Sequence, residues 1–296
     1  MKKILGILLL AGLSLFAQSA ADNAPELFRE PGRITRAADI VPPDNPSLVF
    51  QNMGIEETFY LPISRENGFT IKIDFVWPVS FPDSAVLTAL QRHFLLKNFG
   101  EDYVNLQAEA ALKKFYQTET AGYKEENEDL SADETWALSW ELQLHDNIVF
   151  CNADILQYAI SYWQFSGGAH GTGGTSYFLM DLRTGKELAA ADVFAPGSED
   201  TVRELIVPGL LAYWEASSLD DMVDEDGKKE LLANIWQPGT NFGVTDKGML
   251  FSYSDYELGY YALGQPESYV SWEKILPCLR EDSPVYAVAR KYLNKK

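Results

Sequence analysis

The residues best suited to chemistry lie in two short stretches, Ser-Gly-Gly-Ala-His-Gly-Thr-Gly-Gly at 166–174 and an aromatic run from Phe251 to Tyr261. His170 sits at the centre of a loop carrying Gly167, Gly168, Gly171, Gly173 and Gly174. A histidine titrates near neutral pH and could serve as a general base, while the glycines permit sharp turns or close approach of another group to the main chain. The alternative is a ring that hydrogen-bonds loop backbone and fixes the turn, since neither a serine elbow nor a cysteine partner accompanies it. Tyr256, Tyr260 and Tyr261 fall outside any strand pattern, where their faces could stack on sugar rings and their phenols hydrogen-bond at the edge. Trp163, Trp214 and Trp236 extend the same possibility, whereas Phe251 and Tyr253 follow a strand pattern and read as core.

Spacing argues against other chemistries. The glycine loop lacks the Gly-Lys-Ser/Thr ending of a phosphate loop and leads into a strand, where a dinucleotide fingerprint needs a helix. The only histidines, His93, His145 and His170, show no metal-ligand spacing. Asp224-Glu225-Asp226-Gly227 resembles the middle of a calcium loop, but taking Gly227 as the sixth position puts Met222 at the first and Ala233 at the twelfth, where carboxylates are required. No catalytic residue, metal or cofactor is therefore assigned. The only cysteines, Cys151 and Cys278, invite a single bridge in an oxidising compartment, or else form two separate buried thiols.

Strand patterns flank the glycine loop. Leu156, Tyr158, Ile160 and Tyr162 alternate with Gln157, Ala159 and Ser161, and a short strand follows at Tyr177 to Met180. Upstream, runs at 136–144 and 148–153, joined through His145-Asp146-Asn147, complete an expected antiparallel meander. A hairpin is expected between 57–62 and 69–79, then amphipathic helices opening at Pro82-Asp83 and running from about Tyr103 to Thr118. A helix from about Glu199 to Ala216 must kink or split at Pro208-Gly209. An acidic loop at 220–226, strands at 241–245, 248–254 and 267–270, and a terminal helix capped by Ser283 with Pro284 at its first position complete the chain. The fold class is α+β, a mostly antiparallel sheet covered by helices and packed as one body.

At the N-terminus, Met1-Lys2-Lys3 followed by the apolar run Ile4 to Phe16 reads as a signal peptide over 1–21, with no cysteine there to accept a lipid. A proline-rich linker is expected at 22–46. The protein is thus expected in the periplasm or secreted, without a membrane span in its mature form. A net charge of −19 disfavours nucleic acid and anionic membrane and favours cationic partners.

Two stretches, SGGAHGTGGTSYFLMDLRTGKELAAADVF at 166–194 and NFGVTDKGMLFSYSDYELGYYALG at 241–264, together resemble the RsiV-type domain of unknown function, named for an anti-sigma factor whose extracellular part binds lysozyme. The resemblance covers roughly 156–279 and places that domain in 155–296. Residues 47–154 are similar to the domain that precedes it in that protein and in peptidoglycan deacetylases of the PdaC type. Asp255 and Tyr260 stand where that family leads one to expect prolines, which puts the shape of the Tyr256 loop in question. The resemblance implies a non-enzymatic envelope module binding a lysozyme-like enzyme, with contacts from Gly167, Gly168, His170, Gly171, Tyr256, Tyr260 and Tyr261. Two alternatives stand beside it: a module binding peptidoglycan fragments or other glycan, and a cell-wall hydrolase or deacetylase using His170 with an acidic residue.

Overall fold

The computed structural model describes residues 33–294, so the expected signal peptide at 1–21 and the first part of the linker lie outside the described residues. The fold is α+β. Seven strands form one sheet in sequence order: β1 (Thr35–Ile40), β2 (Val49–Phe59), β3 (Phe69–Ser80), β4 (Trp140–Cys151), β5 (Ile155–Phe165), β6 (Thr172–Asp181) and β7 (Lys186–Glu187). All neighbours are antiparallel except β3 and β4, which run parallel from Phe69↔Trp140 to Asp74↔His145. A parallel pair needs a crossover, and two helices supply it: α1 (Ser84–Phe99) and α2 (Ala108–Glu126). Asp83 caps α1 by accepting from the backbone N–H groups of Ala85 and Val86. Val86, Leu90 and Phe94 on α1, with Ala111, Leu112 and Phe115 on α2, bury their faces against Ile71, Ile73, Phe75, Tyr158 and Ile160 of the sheet, which makes the first core.

Several boundaries differ from those read in the sequence. Part of the expected linker is the edge strand β1. The runs at 136–144 and 148–153 are not two strands around a turn, because His145-Asp146-Asn147 lies inside the single strand β4. Where β3 and β4 stop pairing, the Val76 N–H loses its strand partner, and the buried Asp146 carboxyl accepts it at 3.3 Å together with the Asn98 amide at 3.0 Å. A bulge between Ile148 and Phe150 takes up the extra residue. The actual turn is at Asn152, whose side-chain oxygen accepts from the N–H groups of Asp154 and Ile155, both at 2.8 Å.

The second core lies on the opposite side of β5 and β6. It is built from α3 (Ala190–Val193), α4 (Glu199–Tyr213), α5 (Glu225–Ile235), a three-stranded sheet of β8 (Phe242–Val244), β9 (Gly248–Ser252) and β10 (Glu267–Ser271), α6 (Trp272–Ile275) and α7 (Pro284–Leu293). The first part of β5 is therefore covered on both faces. Leu156, Tyr158 and Ile160 enter the first core, Ile155 enters the second, and the buried Gln157 accepts from the Val244 N–H at 2.5 Å. α4 runs unbroken through Pro208-Gly209; a Cβ at Gly209 would come within 2.2 Å of Ser268 Oγ, so this glycine lets the helix lie on β10. The acidic stretch at 220–226 is not simply a solvated loop: Asp224 caps α5 by accepting from the Gly227 N–H. Cys151 belongs to the first core and Cys278 to the second; both are buried and free, so of the two readings the structure has the separate thiols and not the bridge. Among the described residues, no helix is long and apolar enough to cross a membrane.

Candidate functional site

The two stretches singled out in the sequence meet at one end of β5 and β6. The glycine loop is shorter than the sequence suggested, because Gly173 and Gly174 already belong to β6. Gly167 and Gly168 hold φ of 90° and 94°, with nothing near the position of a side chain, so they are needed for the turn itself. Gly171 and Gly173 serve close approach instead: a Cβ would come within 2.4 Å of Trp163 Cζ2 at the first and 2.9 Å of Trp163 Cε3 at the second.

Docking of the aromatic loop follows from an unsatisfied strand edge. β7 pairs only with Met180 and Asp181, which leaves the rest of that edge of β6 without a strand. Side chains of the second core take its place. Asn241 accepts from the Tyr177 N–H at 2.9 Å and donates to the Thr175 carbonyl at 2.7 Å. The buried Asp255 carboxylate accepts from the Gly173 N–H at 3.1 Å and from the Gln265 amide at 2.9 Å, and that amide also donates to the Gly173 carbonyl at 3.0 Å. Asp255, one of the two residues standing where the resemblance led one to expect proline, thus fixes the base of the loop. Asn241, Asp255 and Gln265 escaped the sequence reading, and only the Asp255 departure carried a signal.

With its base fixed, the loop presents aromatic rings to His170. The imidazole stacks on Tyr261 with ring centroids 3.8 Å apart and planes 15° from parallel. Its Nε2 is 3.2 Å from the Tyr256 hydroxyl, and its Nδ1 is 3.0 Å from the Gly171 carbonyl oxygen. A carbonyl can only accept, so Nδ1 carries the proton and, in the neutral ring, Nε2 accepts from the Tyr256 O–H. Tyr256 is held at φ 68°, in the left-handed region that a bulky side chain rarely enters, at a cost of about 1–2 kcal/mol. The ring is nevertheless 52 % exposed. Tyr260, 55 % exposed, lies beside the cluster without joining its ring contacts. From below, the end of α4 supports the loop: the Trp214 indole N–H donates to the Leu263 carbonyl at 3.0 Å. Trp236 is buried in the second core, which removes it from the candidate stacking residues.

The other histidines are elsewhere. His93, on α1, packs largely out of solvent against the Tyr158 and Phe178 rings, and this desolvation together with nearby Lys97 pushes its pKa down to about 3, so its 3.8 Å approach to Glu187 is not an ion pair. His145 lies on the open face of the sheet, 3.3 Å from the Asp74 carboxylate, and the hydrogen bond between them raises the histidine pKa and lowers that of the carboxyl. The structure does not bring the three histidines together.

With this geometry in hand, comparison with known proteins places part of the chain. Residues 191–273 match the family model described as "Protein of unknown function (DUF3298)". The DUF3298 match lies inside the 155–296 region named by the resemblance, includes Tyr256, Tyr260 and Tyr261, and begins beyond the glycine loop. Two solved DUF3298 structures share the fold. One, from Bacteroides fragilis, is 22 % identical with a TM-score of 0.72, covering 83 % of this chain and 98 % of its own. The other, from Pseudomonas aeruginosa, is 19 % identical with a TM-score of 0.52, covering 80 % of this chain and 96 % of its own. No curated protein matches the chain.

Proposed function

We propose that this chain is a non-enzymatic binding protein of the bacterial envelope, and that its contact surface is the His170–Tyr256–Tyr261 cluster. The observation that carries this reading is the convergence of His170 and Tyr256, 86 residues apart in sequence, with Tyr261 on one exposed aromatic surface, at the expense of a strained Tyr256. Strain maintained by surrounding structure is characteristic of ligand-contact sites. Both imidazole nitrogens are already engaged, one by a carbonyl and one by a phenol, which supports binding over general-base catalysis. The ligand class we favour is a basic, lysozyme-like enzyme. The resemblance to a lysozyme-sensing domain supports it, and a net charge of −19 would speed encounter with such a partner without conferring specificity.

Calorimetric titration with lysozymes of several types at physiological salt tests the reading. Measurable binding is expected, and Tyr256→Ala should weaken it by about 2 kcal/mol, as for an exposed aromatic anchor. Neutralising Glu125 and Glu128 on and beyond the end of α2 should change it far less. Absence of any heat with folded protein across all lysozymes would end this reading.

A further inference from the structure

We infer that the open face of the seven-stranded sheet, beside the His170–Tyr261 cluster, binds a neutral oligosaccharide with Trp163 as its stacking platform; this extends the contact surface proposed above and rests on that surface being a binding site. The platform is built into the backbone. Trp163 lies over the positions of Gly171, at the end of the loop, and Gly173, on the adjacent strand, where even a methyl group would collide with the indole. The same Gly171 supplies the carbonyl that holds His170, so one residue lies under the Trp163 indole and also anchors the His170–Tyr256–Tyr261 cluster.

The strand register defines what surrounds the indole. Gln143 is directly opposite Trp163, with Lys72 and then Glu56 beyond it on the next strands. Two residues along each strand, hence on the same face, lie Ser161, His145 and Asp74. The charged groups on this face are each engaged within it: Lys72 with Glu56 at 3.4 Å, Asp74 with His145 at 3.3 Å, and Glu141, two residues before Gln143, accepting from the Gln143 amide at 2.6 Å. The Ser161 and Thr175 hydroxyls are 2.8 Å apart. On a molecule of net charge −19, this is a patch of planar amide, imidazole, carboxylate and hydroxyl groups whose lysine, Lys72, is already taken up by Glu56, so it offers an anionic ligand no counter-charge there. Such a surface suits a ligand that is uncharged and rich in hydroxyls. The apolar face of a sugar ring would stack on the indole, and its edge would hydrogen-bond to the neighbouring side chains.

Trp163 also provides the readout. The full chain should be titrated with N-acetylglucosamine hexamer and, separately, with glucose hexamer, following tryptophan fluorescence and heat. Saturable binding of at least one of them is expected, insensitive to added salt because stacking is not screened as ion pairing is. Trp163→Ala should weaken it by about tenfold or more, Trp163→Tyr should restore part of the loss, and Gln143→Ala should weaken it without altering the fold. No binding of either sugar by folded wild-type protein overturns the proposal, as does undiminished binding by a folded Trp163→Ala protein. Lysozyme binding without sugar binding would overturn only this inference, and sugar binding without lysozyme binding would overturn only the lysozyme reading.

Discussion

Asp146 should make the protein lose stability as pH rises through neutrality, opposite to the behaviour of a salt-bridged aspartate. Its carboxyl is fully buried, and burial outweighs the two hydrogen bonds from Val76 and Asn98, raising the pKa from 3.8 to about 8. The folded state therefore retains a proton that the unfolded chain releases, and stability falls with pH between those two values by about 1.4 kcal/mol per unit. His93 acts in the opposite sense: its folded pKa of about 3 lies below 6.5, so it favours folding increasingly as pH rises over that interval. Below 6.5 the two effects offset each other, and above it only the Asp146 term of this pair remains, worth about 2 kcal/mol by pH 8. The Asp74–His145 pair, whose histidine pKa is raised chiefly by their hydrogen bond, adds stability that is also lost as pH increases, and that hydrogen bond does not involve Asp146. Asp146→Asn keeps an oxygen to accept both hydrogen bonds and cannot ionise. Urea unfolding at a series of pH values should show the wild-type advantage over Asp146→Asn shrinking by about 1.4 kcal/mol per unit, with the mutant more stable at pH 6.5 than at acid pH. Parallel pH profiles for the two proteins would show that Asp146 is ionised in the folded state and refute the reasoning.

Three further outcomes follow from the site and the cores. Asp255→Ala should leave the Gly173 N–H and the Gln265 amide short of their acceptor, cost about 2–3 kcal/mol, and speed amide exchange at Gly173 and Tyr256 before the rest of the molecule opens. Gly171→Ala should displace the Trp163 indole, shift its fluorescence and destabilise by about 1–3 kcal/mol, while Gly197→Ala, at a positive-φ turn with open space, should leave Trp163 unchanged. Burial raises both thiol pKa values, so Cys151 and Cys278 should resist a thiol reagent in the native protein and react together on denaturation, and reductant should leave the melting temperature unchanged.

What the sequence revealed and what it concealed divides along physical lines. Locally encoded features were legible: the Asp83 cap of α1, the Ser283-Pro284 start of α7, and the alternation of Leu156, Tyr158 and Ile160 on β5. Features set by distant partners were not. Asp146 carries turn chemistry in its own neighbourhood, yet it is drawn into a strand interior because Val76 and Asn98, 70 and 48 residues away, give its carboxyl partners. Gly173 looks like part of a flexible loop, yet it is strand because it pairs with Trp163 of β5 on one edge and is held by Asp255 and Gln265 on the other. For the site, residue type sufficed to pick out His170, Tyr256 and Tyr261. It could not show that Tyr261 stacks on the imidazole while Tyr260, one residue earlier, points elsewhere, since that depends on the loop turning at Tyr256.

The central claim is that the His170–Tyr256–Tyr261 cluster is a ligand-contact surface, and the most direct measurement is calorimetric titration of lysozyme into wild type, Tyr256→Ala and His170→Ala at physiological salt. The account predicts saturable binding by wild type and at least about a tenfold loss in each folded variant. Binding of equal strength in all three, or none by folded wild type, would contradict it.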